Sequence, residues 1–502
     1  MTTGIQSSAP ASLAASGISG LDDVLGGGFP RNRLYLIQGE PGAGKTTVGL
    51  QFLLAGAAAG EKTLYITLSE TPEELEAAAR SHGWSLETTC VRELKAHEPS
   101  AVEDENTLFY PAEVELPETI RRLMADVESL GPARVVVDSL TELRLLSQTP
   151  VRYRRQISAL KDFFTGRRCT VLFLDDTVSG DLQLQSIAHG VVALEQLAPL
   201  YGAERRRLRV MKLRGVAFRG GFHDFTIQTG GIRVFPRLSM LEDRGALLQE
   251  TLPSGIGLLD ELLGGGLDRG TTTLLLGPAG TGKSVIATQY AAAAAARGEH
   301  AVMYTFEEGL STLFLRSEAL GQPLRRLSDE GRLAVRQVNP AELSPGEFIY
   351  LIRRSVEEES ARVIVIDSLS GFYRAMPEES FLSTLLHELF SYLRVHGVAV
   401  ITTLAQHGLI GPDTEAPFDI SYLADTVILL RYFENQGSIR KAISVVKKRS
   451  GRHETTLREL AMSETGLRIG EPLREFVGVM SGSPIYTGST PMQPETDAAR
   501  RR

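Results

Sequence analysis

GEPGAGKT at residues 39–46 and GPAGTGKS at residues 277–284 are the two stretches from which the rest of the chain can be read. Each satisfies G-x-x-x-x-G-K-[ST] in full. Glycines at these positions let the backbone curl around a phosphate chain with its N–H groups turned inward. The lysine then reaches the outermost phosphates, and the hydroxyl after it is suited to a magnesium ion. Gly39, Gly42, Gly44, Lys45, Thr46 and Thr47 are therefore the expected nucleotide-binding residues of the first stretch. Gly277, Gly280, Gly282, Lys283, Ser284 and Val285 are those of the second. Both stretches lie between an apolar run that reads as a strand (LYLIQG, TLLLG) and a run that reads as a helix.

Working outward, the similarity continues. Gly26-Gly27-Gly28 recurs as Gly264-Gly265-Gly266, TLYITLSE (63–70) as AVMYTFEE (301–308), VVVDSL (135–140) as IVIDSL (364–369), and KLR (212–214) as KKR (447–449). Order and spacing are kept, so the chain is a tandem duplication, with a period far too long for a solenoid. The expected organisation is an N-terminal arm over 1–15, one domain over 16–236, a linker over 237–250, a second domain over 251–484 and a flexible tail over 485–502. Within each copy strand and helix alternate. Helices are expected from Lys45 to Ala59, from Thr71-Pro72-Glu73-Glu74 to Gly83, from Glu118 to Leu130 and from Arg152 to Thr165. RVVVD (134–138) and TVLFLD (170–175) are continuous apolar runs, as strands buried on both faces require. The fold class is α/β, with a mostly parallel sheet flanked by helices in each copy.

Composition sets limits on function. The 502 residues are 42% hydrophobic and 23% charged, enough for two full cores. A net charge of −8 argues against broad, sequence-independent binding to nucleic acid. Cys90 and Cys169 form no metal-binding pair and are expected as buried free thiols. No apolar run is long enough to span a membrane, and the first fifteen residues lack a secretory pattern, so a cytoplasmic location is expected.

Several further residues carry candidate chemistry. Asp138 and Asp367 end apolar strands and are placed to hold the shell of a magnesium ion. Glu70, and Glu307 with Glu308, end the strand after the P-loop helix, where a carboxylate can polarise an attacking water or hydroxyl. Alternation along a strand turns only one of an adjacent pair toward the phosphate. Where the second copy has Glu307, the first has Ser69. Lys212, Arg214, Lys447 and Arg449 follow late strands, where cations could reach a neighbouring subunit's nucleotide.

These residues resemble the KaiC family of the RecA superfamily. The likeness runs from SGISGLDDVLGGGFPRNRLYLIQGEPGAGKTT (16–47) through SETPEELEAAARSHGW, VVVDSLTEL, VMKLRG, FEE and VIVIDSLSGFY to FVGVMSGSP (476–484). The resemblance implies two RecA-like domains, homohexameric double rings, and ATP with Mg2+ between neighbouring subunits. Lys212, Arg214, Lys447 and Arg449 would then act in trans, and Ser81 would lie near the nucleoside of the first copy. It also implies slow ATP hydrolysis, autophosphorylation of the second copy on adjacent Ser and Thr, and a role as a signalling or timing switch with regulatory partner proteins. Ser421 falls on the serine position, but Tyr422 replaces the threonine, leaving Ser421 and Thr426 as candidate phosphoacceptors. Ser69-Glu70 is the second departure, since the family has a Glu pair there. A DNA-dependent motor of the RecA or RadA type and an ATP-bound scaffold with little turnover are the competing expectations. The acidic balance and the lack of a zinc CxxC pair count against the motor.

Overall fold

The computed structural model describes residues 12–94, 111–147, 149–176, 182–199, 202–238, 250–374, 381–406, 421–480 and 484–488. The chain divides into two compact units, Met1–Arg237 and Leu238–Arg502.

In the first unit the strand Leu34–Gly39 is buried along its whole length, with parallel neighbours Thr170–Asp176 and Gly190–Leu197. Arg134–Asp138, Thr63–Thr67 and Cys90–Glu93 extend the parallel sheet beyond Thr170–Asp176. On the other side Arg205–Leu213, His223–Gln228 and Gly231–Phe235 add an antiparallel arm to make nine strands. Period-two alternation splits the apolar runs between the two faces. Tyr35, Ile37 and Val136 join Phe52 and Leu53 of the helix Lys45–Ala58. Leu34, Leu36, Val135 and Val137 join Leu123 and Ile157 of the helices Pro111–Leu130 and Pro150–Thr165. Each such side chain contributes about 1.5–3 kcal/mol by leaving water, which is why the run needs no polar positions.

Local chemistry sets the helix ends. Thr71 accepts from the Glu74 backbone N–H while the Glu74 carboxylate accepts from the Thr71 N–H, a reciprocal cap that opens the helix Pro72–Ser81. The helix expected from Arg152 starts at Pro150, because Thr149 caps it and Pro150 takes its first turn. The helix expected from Glu118 starts at Pro111 and carries Pro117 inside it.

The second unit repeats the topology with Thr272–Gly277 at the same sheet position, again in nine strands. Its P-loop helix, Lys283–Ala296, is alanine-rich. Ala287, Ala291, Ala294 and Ala295 are fully buried, so small side chains let this helix lie close to the sheet. No helix among the described residues is long and apolar enough to cross a membrane.

Two landmarks of the repeat meet in space. A Cβ on Gly26 would stand 2.5 Å from the Ala217 carbonyl, and one on Gly264 would stand 2.2 Å from the Arg452 carbonyl, both at positive φ. The triple glycine thus lets the entry turn press against the loop after the KLR or KKR strand. Arg134, from the strand RVVVD, is 1% exposed. Its guanidinium pairs with Glu61 at 2.6 Å, donates to the carbonyls of Ala15 and Phe52, and lies 4.7 Å over the Phe52 ring. Gly56 makes room for it, since a Cβ there would come within 2.5 Å of the arginine side chain.

Three expectations need correction. The arm expected over 1–15 is ordered at Leu13–Ala14, which pair with Phe29–Pro30 and bury Ala14 completely. The tail expected from 485 begins as a strand, Ile485–Tyr486 on Phe476–Val477, with Tyr486 packed on Phe476. Cys90 is half-buried, whereas Cys169 is buried and its thiol is pushed up to about 11 by burial. Most of the expected linker, 239–249, lies outside the described residues, and Leu238 packs in the second core.

Candidate active site

The two P-loops form at the carboxyl ends of Leu34–Gly39 and Thr272–Gly277. Gly44 and Gly282 cap the following helices at φ of 99° and 105°, a left-handed turn that favours glycine. Neither helix start carries a side-chain cap, so its first N–H groups and its positive end are left for an anion. The cradle is closely lined: a Cβ on Gly44 would lie 2.7 Å from Ile227, and one on Gly280 would lie 2.6 Å from the Tyr432 hydroxyl. These donors and this backbone fit a phosphate chain. Thr47 sits in the first helical turn, but the Val285 side chain is buried in the core, which leaves only its backbone to face a ligand.

In the first copy Lys45 Nζ donates to the carbonyls of Gly39 (2.9 Å) and Glu40 (3.0 Å) and pairs with Asp176 Oδ1 at 2.9 Å. Asp138 Oδ2 accepts from the Thr46 hydroxyl at 3.0 Å and the Tyr65 hydroxyl at 2.6 Å. The structure therefore brings Lys45, Thr46 and Asp138 together. Burial raises the Asp138 carboxyl despite these donors and Lys45. Glu70 is also raised, first by burial and then by the charges of Asp138 and Glu74. Two hydroxyl and carboxylate donors in this arrangement suit a hard cation beside a phosphate, although no cluster of three or more His, Cys, Asp or Glu fit to hold a metal by itself occurs among the described residues.

In the second copy Lys283 Nζ donates to Gly277 O (2.8 Å) and Pro278 O (2.7 Å). Burial lowers its pKa to about 8, against the opposing pull of Asp367 and Glu307. Asp367 Oδ1 accepts from the Thr403 hydroxyl at 2.5 Å. Thr403 takes the part that Tyr65 plays in the first copy, from a different strand. Ser284 occupies the first turn of its helix.

The glutamates do not end the strand as expected: the strand stops at Thr305, and the pair separates in the turn that follows. Glu307 accepts from the Ser368 hydroxyl at 3.2 Å and acts electrostatically on Lys283, so it faces the phosphate side. Glu308 turns away and is gripped by Arg316 through two bonds of 3.0 and 2.8 Å. Glu70 stands in the place of Glu308 in the turn: Thr67 Oγ1 accepts from its N–H and donates to its carbonyl, and Thr305 Oγ1 likewise donates to the Glu308 carbonyl. Ser69 is then the first copy's counterpart of Glu307.

The basic residues do not join their own P-loops. Lys212, two strands from the P-loop strand, pairs with Val191, which lies opposite Leu36, three residues short of Gly39. Lys447 has the equivalent register, through Val427 and Leu274. Three residues of strand are about 10 Å. Lys212 Nζ donates to the Gln185 carbonyl, and Lys447 Nζ to those of Ser421 and Ala424. Arg449 donates to the Tyr422 carbonyl, and Arg214 is exposed. The Ser81 hydroxyl bonds back to Ala78 in its own helix. Ser421 is half-buried in a turn. Thr426 is corrected as an acceptor: it is 0% exposed in a central strand and could take phosphate only by leaving the sheet.

Sequence reasoning missed Asp176, Tyr65, Thr403 and Arg316. Asp176 had a legible signal, because an acid at the carboxyl end of a strand next to the P-loop strand lies where open α/β sheets bind ligands. The hydroxyls and Arg316 had none.

Two mostly parallel sheets, each with a glycine-rich cradle, a buried lysine and a strand-end aspartate, define a tandem RecA-like P-loop ATPase. The family model described as "ATPase: KaiC" matches residues 14–239 and 252–474, and the chain belongs to this KaiC ATPase family. Among its relatives are the circadian clock protein KaiC3 of Synechocystis sp., 26% identical over 95% of both chains. The circadian clock oscillator protein KaiC of Thermostichus vulcanus is 27% identical over 95% of this chain and 93% of its own. That of Synechococcus elongatus is 28% identical over 93% of this chain and 91% of its own.

Proposed function

We propose that this KaiC-family ATPase binds Mg-ATP in both P-loops and carries out most of its phosphoryl transfer in the second copy. The observation that carries this is the carboxylate of Glu307 on the phosphate side of Lys283, against Ser69 in the first copy. Lys45 and Lys283 would hold the outer phosphates, with Thr46 and Asp138, or Ser284 and Asp367, around the magnesium. The ion supplies charge neutralisation between the phosphates when bound. Glu307 takes the proton from the attacking oxygen, water in hydrolysis or a serine hydroxyl in autophosphorylation.

Lys212, Arg214, Lys447 and Arg449 serve the nucleotide of a neighbouring protomer in a homohexameric ring. The placement of Lys212 and Lys447, about 10 Å back along the strands from their own P-loop, supports this. Ser421, half-buried in its turn, is the phosphoacceptor, and the phosphorylated ring acts as a signalling or timing switch read by regulatory proteins. Glu307→Gln with Glu308→Gln should lower ATP turnover ~10²–10⁴-fold, the usual range for loss of a base. Intact turnover in the double variant would refute the division between copies. Mass measurement with and without Mg-ATP should find a hexamer only with nucleotide. Phosphopeptide mapping should find phosphate on Ser421, and phosphate nowhere in the chain would remove the autokinase.

A further inference from the structure

We infer that Asp176 is a built-in competitor for the terminal phosphate at the first P-loop, so that the two sites of one chain have different affinities for ATP. This rests on the reading that nucleotide occupies both P-loops. A lysine ammonium has three N–H donors. Lys45 has three acceptors in reach: the carbonyls of Gly39 and Glu40 and the carboxylate of Asp176. Lys283 repeats the two carbonyl bonds, to Gly277 and Pro278. Gly39 pairs in register with Asp176, and Gly277 pairs with Ala405, which has no group to offer. Among the described residues Lys283 therefore keeps one donor for a phosphate oxygen. At Lys45 that donor is already engaged by an anion from the chain itself.

The carboxylate is held in place. Its second oxygen accepts from the Thr141 hydroxyl at 3.1 Å, and its backbone N–H donates to the same hydroxyl. The preceding Asp175 is completely buried and anchors the strand end through Arg144 at 2.7 Å, sharing the single Thr141 proton with Asp176. Thr141 and Arg144 lie on the helix Leu140–Ser147, directly after the Asp138 strand. A phosphate reaching Lys45 must therefore take over a charge-assisted bond from a fixed anion and then remain beside its negative charge. ATP, with its extra phosphate, meets this obstacle more fully than ADP. The first site is left as the one that fills only at higher ATP concentration.

The test is equilibrium binding of Mg-ATP and Mg-ADP to the full chain in a Lys283→Met background, where the first P-loop is the remaining site. Asp176→Asn and Asp176→Ala should tighten Mg-ATP binding roughly ten- to hundredfold, the range of one charge-assisted hydrogen bond. Mg-ADP binding should tighten less. The reciprocal graft, Ala405→Asp in a Lys45→Met background, should weaken Mg-ATP binding at the second site and keeps the idea testable if the Asp176 variants fold poorly. Unchanged or weaker Mg-ATP binding in folded Asp176 variants overturns the inference. So does a loss of turnover with unaltered affinity, which would make Asp176 a base. If Lys283→Met and the Lys45→Met/Lys283→Met double variant bind Mg-ATP equally, the underlying reading of the first P-loop fails instead.

Discussion

Replacing Lys283 by methionine should stabilise the nucleotide-free second unit at neutral pH while abolishing its use of ATP. Burial lowers the lysine from 10.5 to about 8, which corresponds to about 3 kcal/mol held against the folded state whenever the ammonium is charged. Methionine removes that penalty but takes donors from the Gly277 and Pro278 carbonyls, an offset of about 1 kcal/mol. The net gain at pH 7 is therefore about 2 kcal/mol. The sign follows from proton counting. Between about 8 and 10.5 the unfolded lysine keeps its proton and the folded one has lost it, so wild-type stability rises with pH across that window. Below about 8 the penalty is present in full. By pH 9.5 wild type has recovered about 2 kcal/mol, and the advantage of the variant should fall to near zero. Urea unfolding of full-length wild type and Lys283→Met at pH 7 and 9.5, without nucleotide, measures both values. Bound phosphate restores the charge, so Mg-ATP affinity in a Lys45→Met background should weaken above pH 8 by up to about tenfold per unit. A variant less stable than wild type at pH 7, or an equal advantage at both pH values, would refute the reasoning.

Other predictions concern the frame of the site. Arg134→Met leaves Glu61 paired only with Arg31 and takes a donor from the Ala15 and Phe52 carbonyls, and should cost about 1–3 kcal/mol in the first unit, read by denaturant unfolding. Gly264→Ala places a Cβ 2.2 Å from the Arg452 carbonyl at φ +70 and should destabilise the second unit by about 1–3 kcal/mol. Gly437→Ala, at similar φ but with open space around it, should cost less. Thr71→Ala removes one half of the reciprocal cap and should lower the melting temperature by an amount equivalent to about 1 kcal/mol.

The sequence by itself determined the duplication, the sheet class and the cradles. G-x-x-x-x-G-K-[ST] leaves the backbone few other courses, and apolar runs such as RVVVD can lie only inside a two-faced sheet. The cap at Thr71 was likewise local and legible, whereas the local cap at Thr149 was missed and the helix expected only from Arg152. That only one of Glu307 and Glu308 faces the phosphate was expected from strand alternation, but both lie in the turn past Thr305, and their division follows from the bonds to Ser368 and Arg316. The antiparallel arm and the meeting of Gly26 with Ala217 also required the assembled sheet. The tertiary structure alone decided that Tyr65 holds Asp138 while Thr403 holds Asp367, and that Asp176 engages Lys45 where Ala405 leaves Lys283 with a spare donor. The physical reason is that charge and hydrogen-bond competition act over a few ångströms of space. The sheet brings together residues as far apart in sequence as Thr403 and Asp367 or Tyr65 and Asp138, and no local pattern records that meeting.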